Sequence, residues 1–148
     1  MSKSVTNLWR GVRVEDFPSG VLIDDKPADA ILYPDFERKQ IGNKRDGTPK
    51  YREADVDVVK GMVQVGGGTS LFDKDKFFRG KSWRFFYIPE GTLIDPRLKL
   101  TGPDYNDYFK ANHYQIEVEK PLSISAYKGA LDNLARAAVM KAYEDARK

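Results

Sequence analysis

The sequence contains no cysteine and only one histidine in 148 residues. Without cysteine the protein can form no disulfide, no thiolate nucleophile and no cysteine-ligated zinc site, and one histidine cannot supply a histidine cluster for a catalytic metal. We therefore predict that the protein uses no metal. Any catalysis must depend on arginine, hydroxyl, carboxylate and one imidazole group.

Long hydrophobic runs are also absent. No apolar stretch approaches the roughly 20 residues that a helix needs to span a bilayer. The polar start Met1-Ser2-Lys3-Ser4 has no apolar core of the kind found in a signal peptide. We therefore predict a protein that does not bind membranes, carries no cleaved signal peptide and acts in a cytoplasm.

Two common phosphate-binding motifs are missing as well. A Walker loop requires Gly-Lys-Ser/Thr, and the dinucleotide fingerprint requires a third glycine where this chain has Leu71. If the protein holds a nucleotide, it must use another geometry. The net charge of +3 is a weak indication of an anionic ligand or an acidic partner.

What the sequence does contain is enough for one folded domain over residues 1–148. Hydrophobic residues make up 41% of the chain and aromatic residues 12%, which favours a packed core. Between residues 17 and 49, several prolines and glycines predict mainly connecting segments, with a short helix over 35–40.

Alternating apolar residues predict a series of short strands, and a spacing of three or four predicts one amphipathic C-terminal helix. The predicted strands cover residues 8–14, 56–59, 62–65, 83–88, 98–100 and 113–119. A second short helix is predicted over 71–78, and the long helix begins after the cap residue Ser123. Together these elements predict an α+β fold, in which helices pack on a compact mixed or antiparallel sheet.

The stretch from Gly66 to Ser70 is the most informative segment. Three successive glycines can bring the backbone close to a ligand, and the hydroxyls of Thr69 and Ser70 follow on what we expect to be an exposed loop. A plain tight turn with a helix cap explains the same residues equally simply.

Other polar residues occupy predicted strand positions, where a sheet can bring them together. Arg10 can bind a pyrophosphate, and either His113 or Glu117 can hold a ribose hydroxyl while positive charge develops on the sugar. Each residue also has an ordinary structural explanation, such as a surface ion pair or a satisfied imidazole.

Four sequence blocks carry a resemblance to a known family. They are Gly67-Gly68-Thr69-Ser70-Leu71-Phe72-Asp73, Ile88-Pro89-Glu90-Gly91-Thr92, His113-Tyr114-Gln115-Ile116 and Leu131-Asp132-Asn133-Leu134. In order and spacing they resemble the type VI secretion exported effector toxins of the Tse-two kind, which have an ADP-ribosyltransferase-like fold. The resemblance extends from about Gly66 to Arg147 and to the strand that holds Arg10.

The resemblance implies an NAD-dependent ADP-ribosyltransferase toxin. It implies transfer of ADP-ribose from NAD to an unidentified macromolecular acceptor in the cytoplasm of a target cell, reached after export. It also implies a cognate immunity protein, which we expect to be acidic and to cover the active site in the producing cell.

The resemblance further assigns roles to individual residues. Arg10, Thr69, Ser70 and a residue of the last strand would form the catalytic site. The residues expected to contact NAD are Gly67, Gly68, Arg52, Tyr114 and Gln115.

Two points remain open at the level of sequence. Gln115-Ile116-Glu117 is similar to the Gln-x-Glu element of arginine-type ADP-ribosyltransferases, whereas the toxin family keeps the histidine, so the third catalytic residue is either His113 or Glu117. A basic toxin that acts on RNA or another nucleic acid, and a non-catalytic interaction domain of the same fold, are the alternative functions.

Overall fold

The computed structural model describes residues 2–148, and in this range the chain forms twelve strands and one helix. The strands are β1 Leu8–Arg13, β2 Leu22–Ile23, β3 Lys26–Pro27, β4 Lys39–Asn43, β5 Pro49–Arg52, β6 Val58–Val59, β7 Met62–Val63, β8 Thr69–Phe72, β9 Trp83–Ile88, β10 Leu98–Asn106, β11 Ala111–Val118 and β12 Leu122–Ser123. The helix α1 spans Ile124–Ala146 and ends the fold.

Five strands form the main sheet in the order β10-β11-β8-β1-β9, and every neighbouring pair is antiparallel. The remaining strands form small ribbons: β12-β7-β6, β2-β3 and β4-β5. Because β8 and β1 are central, residues far apart in the sequence meet in the middle of the sheet.

The two faces of the sheet carry different side chains because successive residues of a strand point in opposite directions. One face supplies aliphatic residues such as Leu8, Leu71 and Ile116 to a core that it shares with α1. The other face carries a smaller aromatic cluster built around Phe72 and Phe77. The sheet therefore separates an aliphatic core from an aromatic layer.

Helix α1 begins where the sequence predicts. The Ser123 hydroxyl accepts a hydrogen bond from the backbone N–H of Ala126, which satisfies one of the free donors of the first turn. Its buried stripe includes Tyr127, Leu131 and Leu134, and burial of each leucine side chain stabilises the fold by about 1.5–3 kcal/mol.

The predicted fold class, α+β with a C-terminal amphipathic helix, is confirmed, and so are the strands that contain Arg10, Trp83 and His113. The expectation of several packed helices is wrong for residues 2–148, where α1 alone is helical. The chain in this range contains no helix long and apolar enough to cross a membrane.

The helix predicted over 35–40 is wrong, because residues 35–38 form no regular element and Lys39 begins the β4-β5 hairpin. Gly47 at the turn has φ +86, and the Asp46 carboxylate accepts a hydrogen bond from the backbone N–H of Thr48. These two features close the turn and bring β4 beside β5.

The helix predicted over 71–78 is also wrong. Leu71 and Phe72 belong to β8, where they pair with Tyr114 and His113 of β11. Pairing on both sides of a central strand overrides a local helical preference.

Candidate active site

A cavity of about 270 Å³ lies beside β1 and β8. Strand β1 pairs with β9 at six register positions but with β8 at only one, Trp9 opposite Phe72. Beyond that pair the two strands are held less closely, and the cavity is found there, with Arg10 of β1 and Ser70 of β8 in its lining. The main sheet therefore has an opening at its centre.

Arg10 bridges the opening. One of its terminal nitrogens donates to the Tyr33 carbonyl at 3.1 Å, and the other donates to the Ser70 carbonyl at 3.5 Å. Its Nε is buried and has no hydrogen-bond partner. Burial lowers the pKa of Arg10, and the carboxylates of Asp55 and Asp35 partly counter that effect.

Helix α1 fixes the loop residue that Arg10 binds. The Tyr33 hydroxyl donates to Asp132 of the helix at 2.9 Å, and the Lys128 ammonium lies 5.4 Å from the centre of the Tyr33 ring. Desolvation, together with the hydrogen bond to Asp132, raises the pKa of Tyr33 to about 12. The polar face of the helix thus positions one wall of the cavity.

The charged residues of the cavity are partly paired with one another. Arg52 lies 3.4 Å from the Asp35 carboxylate, and the Asp55 carboxylate accepts a 2.6 Å hydrogen bond from the backbone N–H of Asp35. The Arg13 guanidinium lies 4.6 Å from the centre of the Trp83 ring. Arg10 is different, because it takes part in none of the ion pairs formed within residues 2–148.

Aromatic rings form another wall. Phe78 stacks on Trp83 with ring centres 4.0 Å apart, and Phe77 packs against Phe72 with centres 4.4 Å apart. A Cβ on Gly11 would lie 2.9 Å from the Phe78 ring, so glycine at this point of β1 allows the ring to lie against the strand. The cavity therefore combines cations, carboxylates and rings.

The glycines of the predicted binding loop lie outside this cavity. A Cβ on Gly68 would lie 1.9 Å from the carbonyl oxygen of Ile116, and one on Gly67 would lie 2.3 Å from the carbonyl oxygen of Asp55. Both glycines are thus required because the protein's own backbone approaches them closely. Gly66 has φ +114, which turns the chain between β7 and β8.

Thr69 and Ser70 are the first residues of β8, so the expectation of an exposed loop is wrong. Thr69 is fully buried, and its hydroxyl donates to the Leu32 carbonyl at 2.6 Å. Ser70 is half-buried and lines the cavity. Adjacent residues of one strand thus point to different surroundings.

Glu117 is buried on β11, and both of its carboxylate oxygens are bonded. One oxygen accepts from the backbone N–H of Gly66 at 2.9 Å, and the other accepts from the Thr101 hydroxyl at 2.6 Å. The carboxylate therefore ties the glycine loop to β10.

His113 is half-buried and pairs with Phe72 across the β11-β8 ladder, with ring centres 5.2 Å apart. Burial lowers its pKa, and the opposing effect of the Asp104 carboxylate is smaller. The imidazole is accordingly neutral at pH 7. Next to it, Tyr114 is buried in the aliphatic core, whereas Gln115 donates to the Gly66 carbonyl at 3.5 Å.

The structure thus brings three of the sequence-predicted site residues, Arg10, Arg52 and Ser70, into one cavity. The other predicted residues are outside its lining: Gly67, Gly68, Thr69, His113, Tyr114, Gln115 and Glu117. Of these, His113 contacts the cavity wall through Phe72.

Sequence reasoning assigned no site role to the other ionisable residues of the cavity lining, which are Arg13, Asp16, Tyr33, Asp35 and Asp55. Tyr33 and Asp35 lie in the proline-rich segment that the sequence identifies as connection and, over 35–40, as a short helix. The local signal there is limited to charged residues that follow Pro34.

An antiparallel sheet with a C-terminal helix on one face and an arginine-lined opening beside its central strands is consistent with an ADP-ribosyltransferase-like fold. The family model described as Tse2 ADP-ribosyltransferase toxin matches residues 4–143. A curated relative, Toxin Tse2 of Pseudomonas aeruginosa, is 41% identical over 121 residues, which cover 79% of this chain and 72% of the relative.

The chain therefore belongs to the Tse2 ADP-ribosyltransferase toxin family. The family resemblance, the toxin function and the ADP-ribosyltransferase activity predicted from the sequence are confirmed. This activity implies that NAD is the substrate. Within residues 2–148 no three metal-ligating side chains lie together, and the expectation of a metal-free reaction stays a prediction.

Proposed function

We propose that NAD binds in the cavity between β1 and β8 with its pyrophosphate at Arg10. The observation that carries this proposal is the buried guanidinium of Arg10, which bonds to two backbone carbonyls, forms no direct ion pair within residues 2–148 and keeps an Nε without a partner. Burial of a cation that forms no direct ion pair is costly, and the nearby carboxylates of Asp55 and Asp35 only partly offset that cost. A bound pyrophosphate adds negative charge next to the guanidinium and can accept a hydrogen bond from the unused Nε–H.

The aromatic wall supports the same placement. Phe72, Phe78 and Trp83 line the cavity and provide ring surface against which a nicotinamide or adenine ring can pack. Arg52 and Arg13 add positive charge on the same lining. The cavity thus offers separate surfaces for the anionic and the aromatic parts of NAD.

The reaction breaks the glycosidic bond to nicotinamide, and positive charge develops on the ribose as the bond breaks. We propose that the Ser70 hydroxyl in the cavity lining binds one ribose hydroxyl and that the neutral imidazole of His113, which contacts the cavity wall at Phe72, binds another. Glu117 then acts as a positioning residue, since both of its oxygens hold the strands behind the cavity. Thr69 has the same kind of role through Leu32.

The test is the NAD affinity of Arg10→Lys. Lysine keeps the charge but loses the planar fork, so we expect NAD affinity to fall by about tenfold or more. Arg97→Lys is the matched control, because Arg97 pairs with Asp95 outside the cavity. Titration of NAD into the three folded proteins decides the matter, and equal affinities would show that Arg10 has no part in binding.

We further propose that the toxin leaves the producing cell by type VI secretion without a cleaved signal peptide and acts in the cytoplasm of the target cell. A small acidic immunity protein would cover the cavity in the producing cell. The exposed β4-β5 hairpin supports an acidic partner, because it carries Lys44, Arg45 and Lys50 close in sequence to Arg52 of the cavity.

Affinity capture of the toxin from producing cells should recover this partner. The purified partner should then weaken NAD binding to the toxin. A tight partner that leaves NAD turnover unchanged would contradict occlusion of the cavity.

A further inference from the structure

A second cavity, of about 510 Å³, lies next to the Arg10 cavity. Phe77, Phe78 and Trp83 line both cavities, so the two cavities adjoin along these rings. A molecule bound in the second cavity would therefore lie beside the NAD proposed for the first. None of the residues predicted from the sequence to form the active site lines this second cavity.

The charge of the second cavity has one sign. Its lining includes the cations Lys74, Arg79 and Lys110, and no carboxylate of residues 2–148 belongs to the lining. Lys110 pairs with Asp107 at 2.8 Å, and the Lys74 ammonium donates to a backbone carbonyl at 3.1 Å. Arg79 is exposed and takes part in none of the ion pairs formed within the described chain.

An aromatic residue at the rim adds a second, independent observation. Tyr108 is 88% exposed, and its ring packs edge-on against Phe109 with centres 5.0 Å apart. An exposed aromatic ring beside cations is the combination that binds single-stranded nucleic acids, since bases stack on rings and phosphates bind cations. An acidic peptide would need the cations but would leave the rings unused.

We propose that this second cavity is the acceptor site and that the acceptor is a single-stranded nucleic acid. The proposal rests on the NAD site proposed above, because the two cavities share a wall. Tyr108 stacks on a base, and Arg79 with Lys110 binds the flanking phosphates.

The transfer step balances without a further reactant. The bond between the ribose C1′ and the nicotinamide nitrogen breaks, and its electron pair leaves with nicotinamide. A lone pair on a nitrogen or oxygen of the nucleic acid forms the new bond to C1′, and the proton of that group passes to solvent.

The first experiment measures binding of fluorescein-labelled oligouridine and oligothymidine of about 12 nucleotides to the full chain by anisotropy. Tyr108→Ala should weaken binding by about tenfold, whereas Tyr108→Phe keeps the ring and should bind as the wild type does. Equal affinity of Tyr108→Ala and the wild type would overturn the proposal, and a preference for one oligomer would identify RNA or DNA as the source.

The salt dependence of the same binding tests the cations. Each phosphate contact to a single strand contributes about 0.7 to the slope of log affinity against log salt, so Arg79→Ala should reduce the slope by about that amount. Lys120→Ala removes the same charge from an exposed residue outside the cavity and should leave the slope unchanged. Equal reductions in the two variants would show that the cavity has no specific role.

The second experiment measures transfer from NAD labelled in its ADP-ribose part to the same oligonucleotides. Label on the oligonucleotide with wild type, and its loss with Tyr108→Ala, supports the proposal. Label on added cell protein alone would overturn it. Oligonucleotide binding together with equal NAD affinities of the wild type and Arg10→Lys would instead refute the NAD cavity and leave the second cavity as a nucleic-acid site, so the two failures are distinguishable.

Discussion

The glycine loop and the Arg10 cavity differ in whether their buried polar groups are hydrogen-bonded within the protein. At the loop, the Thr69 hydroxyl and both oxygens of Glu117 are bonded to other parts of the protein. At the cavity, the Nε of Arg10 is buried and unbonded. Because a buried polar group without a partner is costly, an unbonded donor in a cavity lining indicates a ligand site more directly than glycines that meet the protein's own backbone.

The loop and the cavity also differ in what their glycines contact. Gly68 meets the backbone of β11, so its missing side chain serves the fold. Gly11, by contrast, allows Phe78 to lie on β1 in the lining of the cavity. A glycine-rich segment in a sequence therefore does not by itself locate the ligand.

The largest effect that would test this contrast is expected for Gly68→Ala. Its Cβ would lie 1.9 Å from a backbone oxygen that cannot rotate away, so we expect a loss of about 3 kcal/mol or more in the free energy of unfolding. Urea denaturation of the variant and the wild type measures the difference.

Gly129→Ala is the matched control, because Gly129 lies within α1 and a Cβ there would meet no atom within 4 Å. Replacement of a helical glycine by alanine should raise stability by about 0.5–1 kcal/mol. If Gly68→Ala were also neutral or stabilising, the loop would be open for ligand contact and the contrast would fail.

A smaller effect is expected at the third catalytic position. Glu117→Gln is isosteric, and its amide can still accept from Gly66 and donate to the Thr101 hydroxyl, so most NAD turnover should remain. Glu117→Ala leaves these groups unpaired and should cost roughly 1–3 kcal/mol of stability. His113→Ala should keep the fold and lose most NAD turnover.

Turnover of NAD by the purified variants, each checked for folding, provides the measurement. Near-normal turnover in His113→Ala together with an inactive Glu117→Gln would reverse the assignment and place the charge of Glu117 in the reaction.

The smallest expected effect is the pH dependence of the folding stability. Burial lowers the pKa of His113 in the folded protein, so folding favours the neutral imidazole. This contribution to stability is fully present above the ordinary histidine pKa of about 6.5 and is lost as the pH falls through the folded pKa. The stability of the wild type relative to His113→Gln should therefore fall as the pH is lowered below about 6.5.

His113 is the only histidine, so its NMR titration can be assigned without ambiguity. A measured pKa at or above 6.5 would show that Asp104, which faces His113 across the β10-β11 ladder, outweighs burial. A measured pKa above about 7 would also make the neutral imidazole proposed for the active site incorrect.

Much of the fold could be predicted from the sequence because strand alternation and helix capping depend on neighbouring residues. The alternation of Tyr114 and Ile116 with His113 and Gln115 predicts β11, and Ser123 predicts the start of α1. The hairpin β4-β5 was not predicted from the sequence, because its exposed strands show no clear alternation of apolar and polar residues.

The candidate site, like the fold, could be predicted only in part from the sequence. The sequence alone determined which chemistry is possible, because the absence of cysteine and the single histidine leave arginine, hydroxyl and carboxylate groups and one imidazole. Only the tertiary structure decided which of those groups are free to act. Arg10 binds carbonyls 23 and 60 residues away, and Glu117 binds a backbone N–H 51 residues away. Partners so distant in the chain are brought together by strand pairing and by the packing of α1, which no local pattern encodes.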